Sequence, residues 1–343
     1  MSTVQQQRET MAALEAEGIQ YIGQCPPHLG ETYIDIPLPG GGTNRTMVMW
    51  PKASPGSKPL DQCPLIVHFH GGGFATCSPG LMGAPARGIA AMLSAVVACP
   101  SLNQLPEQPF PAPIEAAWEV CAWLSHTTNL NGGVLKHEST RVDTNRGFIV
   151  GGLSAGGTAA AVIAGITGAA SANMTEFAHL SPFRSPITGL FVGIPVTVTE
   201  DMIPEKYRSD LKSRIENTQN GGMDLEMIRE MERMVNLVHT PWFSPLNLDV
   251  SDPRTTKDHP GKVFIYCCSL DAFRDDAIIY QKWLSEHVKH VESRLVLMEG
   301  ENHIGWVSPP WPQSHSRKMK EMTLDGMAWL LGADWDRTKP LPI

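Results

Sequence analysis

Short apolar segments alternate with helical segments along most of this sequence. Continuous apolar runs, which predict buried strands, cover residues 64–69, 94–99, 147–150, 187–194, 262–267 and 294–298. Segments typical of helices lie between and after them, at residues 84–93, 113–126, 155–166, 275–290 and 314–331. A strand that is apolar along its whole length is buried on both faces. The alternation therefore predicts an α/β fold with a mostly parallel central sheet and helices on both faces.

Two regions depart from this alternation. Near the N-terminus, a predicted helix over residues 3–17 precedes two extended segments, 32–36 and 45–50, and the turn between them predicts an antiparallel hairpin. Residues 195–245 contain no predicted strand and are rich in charge and methionine. Apolar residues there recur at helical spacing and predict one amphipathic helix: Met227, Ile228, Met231, Met234, Val235 and Val238. That stripe fits a buried core face as well as a face over a substrate pocket.

One serine stands among glycines in the heptapeptide GGLSAGG, where an apolar run meets an alanine-rich helix. A sharp strand-to-helix turn leaves little room for side chains, and Gly152 and Gly156 lie two positions either side of Ser154. Such a turn would present the Ser154 hydroxyl as a nucleophile above the helix N-terminus. A serine before an alanine-rich run is also a common helix N-cap. The heptapeptide alone supports both interpretations.

Three further segments end or follow predicted strands. The run HFHGGGF, residues 68–74, places three glycines after a strand, where backbone N–H groups can point into a cavity and stabilise a developing oxyanion. Asp271 and His303 follow two late strands. Because sites in open α/β sheets lie at the carboxyl ends of strands, Ser154, Asp271 and His303 are expected to meet. Their chain order, Ser…Asp…His, is that of Ser-His-acid hydrolases with this architecture.

Other residues could fill these roles. Asp275 and Asp276 lie further along, where acidic side chains at a helix start would favour the helix dipole, so Asp271 is the better orienting carboxylate. Among the histidines, His287 and His290 fall in a predicted helix, whereas His303 follows a strand in a loop.

These motifs resemble those of the hormone-sensitive-lipase-like carboxylesterases of the α/β-hydrolase fold, in particular fungal members. The similarity runs from about His68 to Leu331 through HGGGF, PEQPFPAPIEAAWEVCAWL, GLSAGG, LDAFRDD and ENHIGW. It implies Ser154 as nucleophile, His303 as general base and Asp271 as its orienting acid. It also implies oxyanion donors at the backbone N–H groups of Gly72, Gly73 and Ala155.

The resemblance implies a division of the chain as well. A catalytic domain would comprise residues 46–194 and 246–343, and a lid subdomain residues 1–45 and 195–245. Two positions depart from the family pattern: Leu153 stands where many relatives have Asp, and Asn103 where relatives usually have Arg. We expect both departures to change substrate preference or stability rather than abolish the chemistry.

Composition and charge exclude several classes of function. A net charge of −8 with no Lys/Arg-rich run argues against a nucleic-acid partner. No secretory signal, membrane span or paired cysteine spacing is recognisable, and the 7 cysteines are expected to be reduced in a cytoplasmic protein. No metal-binding motif occurs, since His68 and His70 lie on a predicted strand with no third ligand nearby, so no metal or other cofactor is expected.

The sequence therefore predicts a serine carboxylesterase acting on an ester of a small to medium apolar molecule. A lid methionine and three aromatic residues are candidates for the substrate pocket: Phe74, Met231, Trp242 and Trp306. An enzyme of secondary metabolism that performs cyclisation, elimination or acyl transfer in the same pocket is the alternative, and a small-molecule receptor is a less favoured one. A homodimer is compatible with the sequence, which does not fix the oligomeric state.

Overall fold

A computed structural model describes residues 4–102, 104–217, 225–236, 238–309 and 311–342. Within these ranges, only the backbone of Leu225 and Met227 is described, not their side chains. An eight-stranded sheet runs through it in the order β1-β2-β5-β4-β7-β8-β9-β10. The first two pairings, β1 with β2 and β2 with β5, are antiparallel, and all the others are parallel. Strands β3 and β6 form a separate parallel pair. The predicted mostly parallel α/β architecture is confirmed.

The described residues contain ten strands and nine α-helices, and from β4 onward strands and helices mostly alternate. The strands are β1 (Leu29–Pro37), β2 (Thr43–Pro51), β3 (Leu60–Cys63), β4 (Leu65–Phe69), β5 (Val96–Pro100), β6 (Thr140–Val142), β7 (Phe148–Leu153), β8 (Gly189–Gly193), β9 (Lys262–Cys268) and β10 (Glu292–Met298). The helices are α1 (Val4–Ile22), α2 (Gly83–Leu93), α3 (Ala112–Ser125), α4 (Thr127–Gly132), α5 (Ala155–Ser171), α6 (Ser213–Glu216), α7 (Leu225–Val235), α8 (Arg274–His287) and α9 (Arg317–Leu331).

Two apolar clusters lie on opposite faces of the sheet. Alternate residues of the central strand β4 point to them: Leu65 and Val67 belong to one cluster, and Ile66 to the other. The first cluster includes residues of α3, α5 and α8, whereas the second includes residues of α2 and α9. Burial of both faces explains why the inner parallel strands are mainly apolar, whereas β10 at the sheet edge, predicted to be buried, is partly exposed.

The N-terminal region differs from its predicted organisation in two ways. Helix α1 continues past the predicted end to Ile22, because Gly18 packs against backbone: a Cβ there would lie 2.7 Å from the Ser308 carbonyl carbon. Strand β1 pairs with β2 as the predicted hairpin, but β2 also pairs with β5, which joins the hairpin to the main sheet. Residues 29–37 and 43–45 of the predicted lid segment 1–45 are thus strands of the sheet, and the division of the chain into lid and catalytic domain stays a prediction.

Residues 195–245 contain no strand in the part that the structure describes, as predicted. A 3₁₀ helix at Glu205–Asp210, the one-turn helix α6 and the amphipathic helix α7 occupy this segment. Asn103, one of the two departures from the family pattern, lies outside the described residues.

All 7 cysteines are free thiols in the structure. Within the described ranges, no helix combines the length and the apolar character needed to cross a bilayer.

Candidate active site

Ser154 lies between the last residue of β7 and the first residue of α5. Its φ of 54° is unusual for a residue with a side chain, and its N–H donates to the Gly193 carbonyl oxygen at 2.9 Å. The glycines around it are required by crowding: a Cβ on Gly152 would lie 2.4 Å from Gly156, and one on Gly156 would lie 2.4 Å from the Phe69 carbonyl oxygen. No hydrogen bond of the Ser154 side chain caps α5, so the hydroxyl is free for another partner.

That partner is the imidazole of His303. The Oγ of Ser154 is 2.9 Å from Nε2 of His303, and Nδ1 of His303 is 2.8 Å from Oδ2 of Asp271. The Asp271 side chain is completely buried and the His303 side chain is mostly buried. The structure thus brings together the three residues that the sequence nominated, and a proton can pass from the hydroxyl to the imidazole while the carboxylate holds the ring.

The loop that carries Asp271 is fixed by neighbouring backbone and side-chain contacts. The N–H of Phe273 donates to Oδ1 of Asp271 at 2.9 Å, which occupies the oxygen that does not face His303. The Asn217 amide donates to the carbonyl oxygens of Asp271 and Ser269 at 2.9 and 3.1 Å. The first contact limits rotation of the carboxylate away from the imidazole, and the Asn217 contacts hold the backbone of the loop.

The three glycines after β4 turn beside Ser154. We call residues 70–73 the glycine loop. Gly72 has a φ of 106°, and a Cβ there would lie 2.3 Å from the Thr76 carbonyl oxygen. None of the hydrogen bonds among the described residues uses the N–H of Gly72 or Gly73 as donor. The N–H of Ala155, at the first position of α5, has no partner within the helix. These groups are therefore available to an anion near Ser154.

His70 holds the glycine loop from within. The N–H of Leu102 donates to Nε2 of His70 at 3.1 Å, so Nδ1 carries the proton and donates to the Gly71 carbonyl oxygen at 2.6 Å. Burial lowers the pKa of His70 to about 4, which keeps the ring neutral. The sequence places His70 in the HGGGF motif and not in a metal site, and the signal for this structural role is its position directly before the glycines.

A cavity of about 200 Å³ opens beside Ser154 and His303. Its wall is mainly apolar and comes from distant parts of the chain, including Met11, Leu81, Leu153, Ile194, Val307 and Trp311. Leu153, which stands where many relatives have Asp, contributes an apolar side chain next to the serine. The space next to the Ser154 hydroxyl is therefore small and mainly apolar.

The four pocket residues nominated from the sequence are not among the residues that line this cavity. Phe74 is buried edge-to-face against Phe110 at 5.1 Å between ring centroids. Met231 and Trp242 belong to the first apolar cluster. Trp306 belongs to the second cluster and packs so closely on α2 that a Cβ at Gly88 would lie 2.0 Å from its ring.

The two acids that follow Asp271 have roles that the sequence did not reveal. Oδ2 of Asp275 accepts hydrogen bonds from the backbone N–H groups of Lys212 and Ser213, each at 2.7 Å. Asp276 is completely buried and forms an ion pair with Arg214 at 2.8 Å. Burial raises the pKa of Asp276. These contacts attach residues 212–217 to the loop that carries Asp271.

The described residues contain no group of three or more His, Cys, Asp or Glu side chains arranged to hold a metal ion. His68, the other strand histidine, is buried with neither ring nitrogen hydrogen-bonded, and burial lowers its pKa to about 3. Its ring packs edge-on against Phe191 at 5.7 Å, so it acts as an aromatic core residue.

Comparison with known proteins places this geometry in a family. The sequence model of the α/β hydrolase fold matches residues 66–307, most of the chain. An AB hydrolase superfamily protein of Schizosaccharomyces pombe is 26% identical over 320 residues, which cover 90% of this chain and 85% of that protein. A versiconal hemiacetal acetate esterase of Dothistroma septosporum is 25% identical over 281 residues, covering 78% and 74%.

Solved structures agree on the fold. The crystal structure of vibralactone cyclase superposes with a TM-score of 0.73 at 21% identity, covering 97% of this chain and 90% of the cyclase. At this identity the similarity establishes the fold alone.

Proposed function

The chain belongs to the α/β hydrolase family, and from this premise we propose that it is a serine carboxylesterase acting on an ester of a small to medium apolar molecule. The observation that carries the proposal is the continuous hydrogen-bonded series from Asp271 through His303 to Ser154, with distances of 2.8 and 2.9 Å. The esterase among the fungal relatives gives further support.

The reaction follows from the proton transfers that these three side chains can make when Ser154 attacks an ester carbonyl. Ser154 Oγ attacks the ester carbonyl carbon while Nε2 of His303 takes the hydroxyl proton, and Asp271 stabilises the imidazolium. The oxyanion forms beside the free N–H groups of Gly72, Gly73 and Ala155. When the C–O bond to the alcohol breaks, His303 returns the proton to the leaving oxygen. Water then attacks the acyl-enzyme by the same steps and releases the acid.

Substrate size is supported by the cavity beside the serine. A volume of about 200 Å³ with a mainly apolar wall favours a short acyl group or a small alcohol. In the proposed lid, Met11 of α1 reaches the cavity wall.

The direct experiment pairs an ester assay with active-site labelling. The wild-type protein is expected to hydrolyse p-nitrophenyl acetate or butyrate, and a fluorophosphonate is expected to form an adduct that mass spectrometry locates on Ser154. Labelling at another residue, or hydrolysis that survives in Ser154→Ala, would contradict the proposal.

Cyclisation, elimination or acyl transfer in the same pocket is the second candidate. The vibralactone cyclase structure, which has the same fold, supports this candidate. An acyl-enzyme can be attacked by a hydroxyl of the substrate instead of water. Adding a short-chain alcohol to the ester assay separates the two reactions: an esterase releases mainly free acid, whereas an acyl transferase releases mainly the new ester. A receptor function is less favoured, since Ser154, His303 and Asp271 are all in place.

We also propose, as the sequence predicts, a cytoplasmic location and the formation of a homodimer. Imaging of a fluorescent fusion and sedimentation of the purified protein would test them.

A further inference from the structure

Helix α1 places one face against the segments that surround the active site. Five residues spaced three or four apart make up this face: Arg8, Met11, Glu15, Gly18 and Ile22. The last three are buried, although α1 as a whole is rich in polar residues. A face that combines two charged side chains with a methionine, a glycine and an isoleucine is unusual for simple core packing.

Arg8 joins three segments of the chain. Its Nε donates to the Ala75 carbonyl oxygen at 2.8 Å, and its Nη2 donates to the Leu105 carbonyl oxygen at 2.7 Å. The guanidinium also forms a two-point contact with the Glu107 carboxylate, at 2.8 and 2.7 Å. The contact with the exposed Glu107 adds little stability by itself, but it orients the guanidinium toward the two backbone carbonyls.

Glu15 contacts the same region two turns further along the helix. One carboxylate oxygen accepts a hydrogen bond from the Ser78 backbone N–H at 2.7 Å, and the other accepts one from the Ser78 hydroxyl. Glu15 is 6% exposed, and burial raises its pKa. A carboxylate is therefore kept in a buried position by two donors from a single residue of the loop.

Residues 74–78, which we call the rim segment, connect these contacts to the glycine loop. The Gly72 carbonyl oxygen accepts hydrogen bonds from Ala75 N–H at 3.0 Å, Thr76 N–H at 2.9 Å and the Thr76 hydroxyl at 3.1 Å. Arg8 and Glu15 hold the rim segment at its two ends, Ala75 and Ser78. Because the plane of the peptide that follows Gly72 contains both the Gly72 carbonyl and the Gly73 N–H, fixing the carbonyl fixes the direction of that donor.

Met11 lies on α1 between the two charged residues and lines the cavity beside Ser154. It is half-buried, so its side chain closes part of the cavity wall while its other side faces away from the core. No other residue of α1 is among those that line this cavity.

We propose that α1 is a functional part of the active site: Arg8 and Glu15 are positioning residues that hold the glycine loop through the rim segment, and Met11 is a specificity-determining residue that limits the length of the group bound beside Ser154. The role of Met11 rests on the proposed esterase function for its natural substrate. The role of Arg8 and Glu15 concerns any reaction that places an oxyanion beside Ser154.

The test of the positioning role measures the second-order rate of Ser154 labelling by an ethyl fluorophosphonate in the full-length protein. Its phosphoryl oxygen occupies the oxyanion position, so the rate depends on the glycine loop. Loss of one well-placed oxyanion donor typically costs about 10²–10³ in rate, and a misaligned donor less. We expect about tenfold slower labelling in Arg8→Ala and Glu15→Ala, and an unchanged rate in the matched control Glu17→Ala, an exposed position of the same helix.

Melting temperature is measured on the same variants. A lower melting temperature with labelling rates within twofold of the wild type would make Arg8 and Glu15 purely structural and overturn the proposal. Should either alanine variant fail to fold, Arg8→Lys and Glu15→Gln, which keep size and polarity, give the same comparison. If the wild type is labelled at Ser154 but hydrolyses no ester, the proposed function fails while this test still reads out.

The test of Met11 compares fluorophosphonates with ethyl and octyl chains, and p-nitrophenyl acetate with the octanoate. One methylene group in an apolar pocket can change rates by roughly tenfold or more. In Met11→Ala the octyl-to-ethyl rate ratio is expected to rise about tenfold, whereas the volume-conserving Met11→Leu keeps the wild-type ratio. A ratio that is unchanged in Met11→Ala would overturn the specificity role.

Discussion

The hydroxyl oxygen of Ser154 and Nε2 of His303 lie 2.9 Å apart, although 149 positions separate the two residues in the chain. The contact forms because β7 and β10 are parallel strands of one sheet, and both residues follow the carboxyl end of their strand. Ser154 is held at a φ of 54°, a backbone conformation stabilised by the glycines around it rather than by the serine itself.

Replacing Ser154 with alanine is expected to reduce ester hydrolysis by at least about a thousandfold, because binding and oxyanion stabilisation alone leave only a small residual rate. The melting temperature should stay close to that of the wild type, since His303 is the only hydrogen-bond partner of the hydroxyl among the described residues. Turnover of p-nitrophenyl butyrate measures the loss. The matched control is Ser171→Ala, an exposed serine at the end of α5, which should keep full activity.

His303 must accept the proton of Ser154 and pass it to the leaving alcohol, so its replacement by alanine is expected to remove most of the activity. Asp271→Asn should lower kcat by several orders of magnitude, since an amide that replaces the carboxylate no longer stabilises the imidazolium. Initial rates on the wild type and on both variants give the comparison. A kcat close to that of the wild type in Asp271→Asn or His303→Ala would contradict these roles.

These three residues could be predicted because each carries a local signal. The glycines of GGLSAGG and the strand-end positions of Asp271 and His303 depend on a few neighbouring residues and on the order of the strands. The contacts of Arg8 with Ala75 and of Arg214 with Asp276 have no such signal, because they join residues about 60 or more positions apart without a shared pattern. The sequence therefore predicted which three side chains would meet, but not the contacts that support them.

The cavity wall was harder to predict for the same reason. Composition favours aromatic residues near the motifs as pocket residues, yet the Trp306 ring packs against α2. Met11 lines the cavity because α1 packs on the rim segment. The sequence of α1 alone does not distinguish a methionine that lines a cavity from an exposed one.

The buried ion pair between Arg214 and Asp276 predicts a large loss of stability when one partner is removed. Arg214→Met should lower the free energy of unfolding by about 3–5 kcal/mol, because it leaves an uncompensated carboxylate in a fully buried site. Urea unfolding at pH 7 measures the change. Arg208→Met is the control: its pair with Glu205 is exposed, so the loss should stay below about 1 kcal/mol.

Arg214 also contacts a ring that packs against His303, so the Arg214→Met variant tests activity as well as stability. The Arg214 guanidinium also lies 4.3 Å from the centre of the Phe273 ring, and that ring packs edge-on against His303. We therefore expect kcat to fall in Arg214→Met at temperatures where the variant is still folded. A variant with full kcat would mean that the Asp271 loop holds its geometry without this support.

Glu232 predicts a pH dependence of stability. Burial raises its pKa to about 7, with Asp276, Glu200 and Asp201 adding to the increase and Arg214 opposing it. A carboxyl whose folded-state pKa is raised contributes stability that is complete below its unfolded-state pKa and is lost as pH rises through the folded-state value. That loss should fall between about pH 4.5 and 7 and amount to about 1–2 kcal/mol, reduced by partial exposure.

Glu232→Gln should remove this dependence. Relative to the wild type, the variant is expected to be more stable at pH 8 than at pH 5.5, as measured by urea unfolding at both values. Glu205→Gln, at an exposed site, is the control and should leave the pH profile unchanged. The prediction fails if the stability difference between Glu232→Gln and the wild type is the same at both pH values.

The methionine stripe of α7 distinguishes a core role from a pocket role. Met231 is 6% exposed and belongs to the first apolar cluster, and Met234 packs against that cluster, whereas the side chain of Met227 lies outside the described residues. Because Met231 is not among the residues that line the cavity at Ser154, we expect Met231→Ala to act through stability. Truncation of a core methionine typically costs about 2–5 kcal/mol, which would appear as a lower melting temperature.

The relative kcat/KM for p-nitrophenyl acetate and octanoate should stay close to that of the wild type in Met231→Ala, while Met234→Ala, at a less buried position, should lose less stability. The same two measurements on Met227→Ala extend the comparison along the helix. If Met231→Ala instead kept its melting temperature and changed the chain-length preference, α7 would have to approach the serine during catalysis. The stripe would then belong to the substrate pocket, because only direct contact with the acyl chain changes the acetate-to-octanoate ratio without a cost in stability.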